Sequence, residues 1–251
     1  MSASHILVER KGAVQAIRMN RPEKKNAITR AMYAAMAAAL ISGDDDAGVR
    51  CHLILGVPGA FSAGNDIADF MAVAMGGDGG TEVFDFLMAL ATLAKPLVTA
   101  ADGIAVGIGT TIHLHADLTL ATPRTVFSTP FVDLGLVPEA GSSLIAPRLL
   151  GHQRAFALLG LGEGMPAGPA KAAGLIHDVI PEDGLEAAAL ALAERLAAKP
   201  PEALKLARDF MRGDRDDIVA RIEAEGKAFR QRLSSDEARQ AFMAFMSRGK
   251  T

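Results

Sequence analysis

The chain has 251 residues, half of them hydrophobic and 22% charged, with a formal charge of -3 and a pI near 6.1. That composition describes a globular protein with one substantial core, and its mixed-sign surface offers no basic run to make nucleic acid a partner. Cys51 is the only cysteine, which excludes an intrachain disulfide and a thiolate metal site.

Residues 1–12 carry Glu9, Arg10 and Lys11 and no long apolar run, so no signal peptide is expected. No apolar segment reaches membrane-spanning length, and residues 248–251 form no peroxisomal address, so the expected location is cytoplasmic, without a membrane partner. Residues 5–10 and 13–19 read as a hairpin around Lys11-Gly12. Thr29 reads as the N-cap of an alanine- and methionine-rich helix to about residue 42, and Asp44-Asp45-Asp46 as a solvated loop. Residues 49–55 predict a buried strand with Cys51 as an inert core thiol.

Asp66 is placed to cap a helix to about residue 73, and Gly76-Gly77-Asp78-Gly79-Gly80 reads as a surface loop, lacking the Lys-Ser/Thr of a phosphate cradle. A helix over 82–93, a strand over 96–101, a short buried helix over 107–114 and strands over 117–121 and 126–128 follow. From residue 142 the pattern turns helical: 142–150, 152–159, 167–173 and 185–198. Pro200-Pro201 marks a break, and three helices follow over 202–211, 218–233 and 235–247. Leu204, Ala207, Phe210 and Met211, then Phe242, Phe245 and Met246, recur at helical spacing, which predicts packing on the core and on a neighbouring subunit. Two regions are expected, 1–198 as the core with the site and 199–251 as a helical appendage.

Two turns and one carboxylate carry the chemistry. In Phe61-Ser62-Ala63-Gly64-Asn65-Asp66 a glycine follows a strand and precedes a helix start, leaving unpaired amides near Asn65. In Ala105-Val106-Gly107-Ile108-Gly109 a helix again begins at glycines that allow close approach. Two such amides converging on one point bind an oxyanion; ordinary strand-to-helix turns are the alternative, and these residues alone leave it open. The glycine spacing does not fit the dinucleotide fingerprint, so no nicotinamide cofactor is expected. Glu139, just after Pro138, is either a general base or an acid serving a helix dipole. His113 and His115 are poorly spaced for a metal pair, and no metal site is expected.

Taken together, Asn20-Arg21-Pro22-Glu23-Lys24-Lys25-Asn26-Ala27-Ile28, Phe61 to Ile67, Lys95-Pro96, Asp102-Gly103 to Gly109 and Gly174-Leu175-Ile176 resemble the crotonase (enoyl-CoA hydratase/isomerase) family over nearly the whole chain. Within it the chain is most similar to the peroxisomal-type Δ3,Δ2-enoyl-CoA isomerases and their bacterial relatives. That likeness rests on Asn20 through Tyr33, Ala105-Val106-Gly107-Ile108, Thr129-Pro130-Phe131 through Ser143, and Phe245-Met246-Ser247-Arg248. The resemblance implies an α/β fold, a spiral of repeated ββα units with a C-terminal helical region, assembled as a homotrimer or a dimer of trimers.

It also implies a site. Glu139 falls where the isomerases place their catalytic acid, while the positions of the two hydratase glutamates hold Thr111 and Phe131. The amides of Asn65 and Ile108 would form the oxyanion hole. Lys24, Ser62, Ala63, Gly64, Asp66, Ile67, Gly107 and Phe131 would bind the acyl-CoA thioester, with Ala63 reading the adenine and Lys24 or Lys25 near the nucleotide phosphates. The implied reaction is a double-bond shift from 3-enoyl-CoA to 2-enoyl-CoA in fatty acid metabolism, with coenzyme A entering only as part of the substrate and no further cofactor. Leu136, Val137 and Phe131 would raise the pKa of the base. Hydration, thioester hydrolysis and a non-catalytic acyl-CoA-binding scaffold remain as alternatives.

Overall fold

The computed structural model describes residues 4–69 and 80–248. The expected continuation of the Asp66 helix past residue 69 and nearly all of the Gly76–Gly80 loop lie outside them. The strands are β1 (Ile6–Lys11), β2 (Val14–Met19), β3 (Cys51–Leu55), β4 (Ala60–Ser62), β5 (Leu97–Ala101), β6 (Ile104–Val106), β7 (Leu118–Ala121), β8 (Val126–Ser128), β9 (Met165–Pro166) and β10 (Asp178–Val179). The helices are α1 (Arg30–Asp45), α2 (Glu82–Thr92), α3 (Ile108–Thr111), α4 (Ser142–Leu150), α5 (His152–Leu159), α6 (Ala167–Ala173), α7 (Leu185–Ala197), α8 (Pro201–Arg212), α9 (Arg215–Leu233) and α10 (Asp236–Arg248).

Successive stretches of chain give one strand to each of two sheets and then turn into a helix, which makes the spiral. β3, β5 and β7 lie side by side in the sheet β1-β2-β3-β5-β7-β10, while β4, β6 and β8 follow them into the sheet β4-β6-β8-β9. Among the strand pairs of the described residues, only the β1–β2 hairpin and the β8–β9 pair are antiparallel. The β2–β3, β3–β5 and β5–β7 pairs are parallel, and β3 and β5 are buried along their whole length. Coverage on both faces is why those strands read as buried, largely apolar runs, broken by His52 and Thr99, rather than alternating ones. One face meets the main core; the other meets α7, whose Ala189, Ala193 and Ala197 pack with Val14, Cys51, Leu53, Val98 and Leu120. Burial pushes the Cys51 thiol up to about 12, so it is inert at neutral pH.

Local signals hold at the helix starts. The Thr29 hydroxyl accepts a hydrogen bond from the Met32 amide at 3.3 Å, and α1 begins at the next residue. Two expectations are corrected. Asp44 is no solvated loop residue: it lies in the last turn of α1 and accepts the Ala94 and Lys95 amides at 2.7 and 3.0 Å, latching α1 to the entry of β5. The apolar spacing on α8 does not pack on the core within the chain either, since Phe210 and Met211 are 84% and 78% exposed.

The anchor of α8 is polar. Arg208 is buried and donates to the Asp117 carboxylate at 2.8 and 2.9 Å and to the carbonyls of Leu93 and Ala94 at 2.6 and 3.0 Å. Farther along, Ile218, Ile222, Leu233 and Phe242 of α9 and α10 sit in the main core. No helix among the described residues is long and apolar enough to cross a membrane.

Candidate active site

The two glycine turns abut each other. Gly64, at φ +90°, lies so near β6 that a Cβ there would stand 2.9 Å from the Val106 carbonyl oxygen. In return, a Cβ on Gly109 would stand 2.8 Å from the carbonyl oxygen of Ser62. No side chain fits at either contact, so both turns are glycine-bound at the point where they meet.

Polar bonds fix the first turn from behind. The Ser62 hydroxyl donates to the Asn26 carbonyl at 2.8 Å and accepts the Gly64 amide at 3.0 Å, and the Asn26 side chain donates to the carbonyls of Ala60 and Phe61. The Ala63 amide donates to the Lys25 carbonyl at 2.9 Å, which staples the Lys24-Lys25 turn to the same place. Gly64 and Asp66 pair with Ile28 on either side of Asn65, and Gly107 donates to Ser128 just before Ile108. Among the described residues, the amides of Asn65 and Ile108 themselves donate to no protein acceptor. They are free donors at adjoining turns.

Glu139 meets the second turn through its side chain. It precedes α4 on a loop where Ala140 and Gly141 both take positive φ, +60° and +69°. The reversal swings the carboxylate onto the Thr111 hydroxyl, which donates to Oε1 at 2.6 Å. Thr111 ends α3, the same short helix whose first amide belongs to Ile108. The base candidate is thereby tied within one helical turn of a free amide. It is 7% exposed, and burial pushes its pKa up to about 8; the Thr111 bond works against that rise and the charge of Glu225 adds to it.

The helix-dipole alternative for Glu139 fails on contacts. Helix α4 begins at Ser142, and the amides of Gly141 and Ser143 at its start donate to Glu225 of α9, at 2.6 and 3.0 Å. Glu225 serves the dipole, and Glu139 faces the site. The two histidines stay structural. His115 Nε2 bonds the Ala140 carbonyl at 2.7 Å, and His113 Nδ1 bonds the Thr99 hydroxyl at 2.8 Å. Burial lowers His113 to about 3 and His115 to about 4, so both rings are neutral near pH 7.

A cavity of about 450 Å³ opens onto this point. Its apolar walls are Ile28, Val83, Phe84 and Leu87 on one side and Ile222 and Leu233 of α9 on the other. Asn65 and Glu139 both line it, with Tyr33 between them in the electrostatic sense. The Tyr33 hydroxyl donates to Asn65 Oδ1 at 2.6 Å, and its pKa is raised by burial and then by the Glu139 charge. Arg30, Asp69 and Arg230 are the charged lining groups.

Of the other residues singled out in the sequence, Ile108 and Phe131 are buried and are not among the residues lining the cavity, and Ser62, Gly64 and the half-buried Gly107 belong to the turns. Ala63 is half-buried, Lys24 and Ile67 are exposed, and Asp66 forms an ion pair with Arg21 at 2.6 Å. Sequence reasoning missed the roles of Thr111, Tyr33 and Glu225. Thr111 stands three residues after Ile108 on α3, a signal that was available; Glu225 lies 84 residues from its partner Gly141, and nothing local announces it. Among the described residues no cluster of three or more His, Cys, Asp or Glu side chains is arranged for a metal.

Comparison with known proteins shows the family and the fold. Residues 9–251 match the family model described as enoyl-CoA hydratase/isomerase. A rat enoyl-CoA delta isomerase 2 is 33% identical over 249 residues, which cover 97% of this chain but 63% of the rat protein. A probable enoyl-CoA hydratase of Rhizobium meliloti is 29% identical over 254 residues, covering all of this chain and 98% of its own. The crystal structure of an enoyl-CoA hydratase/isomerase from Pseudoalteromonas atlantica superimposes with a TM-score of 0.92 at 35% identity, over 98% of each chain.

Proposed function

The chain belongs to the enoyl-CoA hydratase/isomerase family, and from that premise we propose that it shifts the double bond of a 3-enoyl-CoA to give the 2-enoyl-CoA, with Glu139 as the sole proton carrier. The observation that carries this reading is Glu139, a buried carboxyl pushed up to about 8 that is bonded to Thr111 of the helix opening at Ile108 and shares a cavity with Asn65. A base tuned near neutrality is matched to removing a carbon-bound proton next to a thioester and giving it back. Hydration benefits from a second acid/base group. The other nearby carboxylates are engaged: Glu225 by two backbone amides and Asp69 by the Arg30 amide at 2.9 Å.

The thioester oxygen sits between the Asn65 and Ile108 amides. Glu139 takes a proton from the α-carbon, the electron pair spreads over a dienolate whose negative charge rests on that oxygen, and the amides stabilise it; one such donor is worth about 3 kcal/mol of transition-state stabilisation. The protonated Glu139 then delivers the proton to the γ-carbon. The acyl chain lies between α1, α2 and α9 in the apolar cavity, which also keeps bulk water from the enolate.

The coenzyme A portion runs outward past Ala63 toward the exposed Lys24 turn. The exposed Phe210 and Met211 of α8 support an interface between copies, in line with a trimer or a dimer of trimers. The test is a substrate pair. Purified protein given 3-enoyl-CoA is expected to form 2-enoyl-CoA, and given 2-enoyl-CoA to form little 3-hydroxyacyl-CoA; rapid hydration with 3-enoyl-CoA left intact refutes the proposal.

A further inference from the structure

We propose that Glu225 is the positioning residue for Glu139: clamped on the Gly141 and Ser143 amides, it holds the left-handed turn that aims the base, and it sets the base's charge environment from α9. The inference rests on the reading of Glu139 as the base. Its footing is geometric. Glu225 is 7% exposed and reaches across from α9 to accept two amides at 2.6 and 3.0 Å, one of them from Gly141, two residues from Glu139. Ala140 between them is a non-glycine residue at φ +60°, a conformation that persists only where surrounding bonds over-determine it. Its carbonyl is held by His115 and the next amide by Glu225, so the turn is fixed from both sides.

Helix α9 also walls the acyl cavity with Ile222, Gly226 and Phe229. The helix that feels the acyl chain therefore carries the carboxylate that fixes the base. Among the described residues, the following polar groups bond Glu139, act on its charge or line its cavity. α3 offers the Thr111 hydroxyl, α1 the Tyr33 phenol and Arg30, the segment after β4 Asp69, and α9 Glu225 and Arg230. Arg221 of α9 is turned to the Ser143 hydroxyl at 3.0 Å, and the His115 ring is neutral. Tyr33, raised by burial, stays neutral with Glu139 across from it. Glu225 is the like charge that adds to the effect of burial on Glu139.

The experiment follows the Glu139 carboxyl by NMR in protein carrying carboxyl-labelled glutamate, the signal being assigned by its loss in Glu139→Gln. In Glu225→Gln the titration midpoint of Glu139 is expected to move toward acid by on the order of one pH unit, with the acid limb of the kcat/KM profile moving alongside. Glu225→Asp keeps the charge but retracts it, so the midpoint is expected to stay high while kcat falls about tenfold. A midpoint unchanged in Glu225→Gln, or kcat unchanged in Glu225→Asp, overturns the proposal. If the variants do not fold, amide exchange in the wild-type protein decides: protection at Gly141 and Ser143 supports the clamp, and loop-like exchange there refutes it. The NMR titration needs no turnover, so it is separable from the kinetics of Glu139→Gln, which decide whether Glu139 is the base.

Discussion

Thr111→Val keeps the shape of a fully buried side chain and deletes one hydroxyl, the group 2.6 Å from Glu139 Oε1. A hydrogen bond to a charged group contributes about 1.5–3 kcal/mol. The bond lowers the pKa of Glu139 in the native protein, so its loss lets burial push that group above its present value of about 8. At 1.36 kcal/mol per unit, the expected rise is about one to two pH units. Activity that requires the ionised base then falls by about tenfold to a hundredfold at pH 7 and recovers toward the wild-type plateau in alkali. The assay is the kcat/KM profile for 3-enoyl-CoA isomerisation between about pH 6 and about pH 9.5. An acid limb that stays in place, or moves to lower pH, refutes the role given to Thr111 and the charge state given to Glu139. An equal loss at every pH also refutes it, since it would make Thr111 a spacer without electrostatic effect.

Glu139 also shapes stability. Its folded pKa of about 8 exceeds the ordinary 4.5, so its contribution to stability is fully present below about 4.5 and is lost as pH rises through about 8. Glu139→Gln is expected to flatten that decline and to exceed the wild type by several kcal/mol above pH 8, read as urea midpoints across pH; parallel curves for the two proteins count against a buried, proton-binding acid. Gly109→Ala drives a methyl to 2.8 Å from the Ser62 carbonyl oxygen and wedges the two turns apart. Its kcat is expected to fall about a hundredfold, as misplacing a catalytic group does, while the fold survives by circular dichroism. Arg208→Ala removes the buried anchor of α8 and leaves the Asp117 carboxylate to Arg212 and the Leu97 amide, at an expected cost of about 1.5–3 kcal/mol in chemical unfolding.

Much of the fold is local, and local signals carried it. The Lys11-Gly12 turn, the Thr29 cap and the fully buried β3 and β5 are short-range decisions of the backbone, and each matches its expected element. β9 and β10 span two residues each and exist because neighbours pair with them; Asp178-Val179 has no strand character without β7 beside it. The α8 stripe misled because helical spacing reports an apolar face and not what covers it. In this helix the buried contact is made by Arg208, a residue that periodicity scores as surface.

The site divides in the same way. The glycine turns were legible as turns from their own residues, whereas the residues around Glu139 left base and helix-dipole roles open and only the family resemblance singled it out. The Tyr33–Asn65 bond and the Glu225 clamp join distant segments, and only the folded chain brings them together.

The most direct measurement compares wild type with Glu139→Gln on 3-enoyl-CoA, recording turnover and the affinity for a non-reactive acyl-CoA in the same preparation. If one carboxyl moves the proton and free amides hold the thioester, the variant binds the ester about as tightly as wild type and forms no 2-enoyl-CoA above background. Wild-type turnover by the variant would contradict the assignment of the base, and loss of binding in step with loss of turnover would make Glu139 a structural acid.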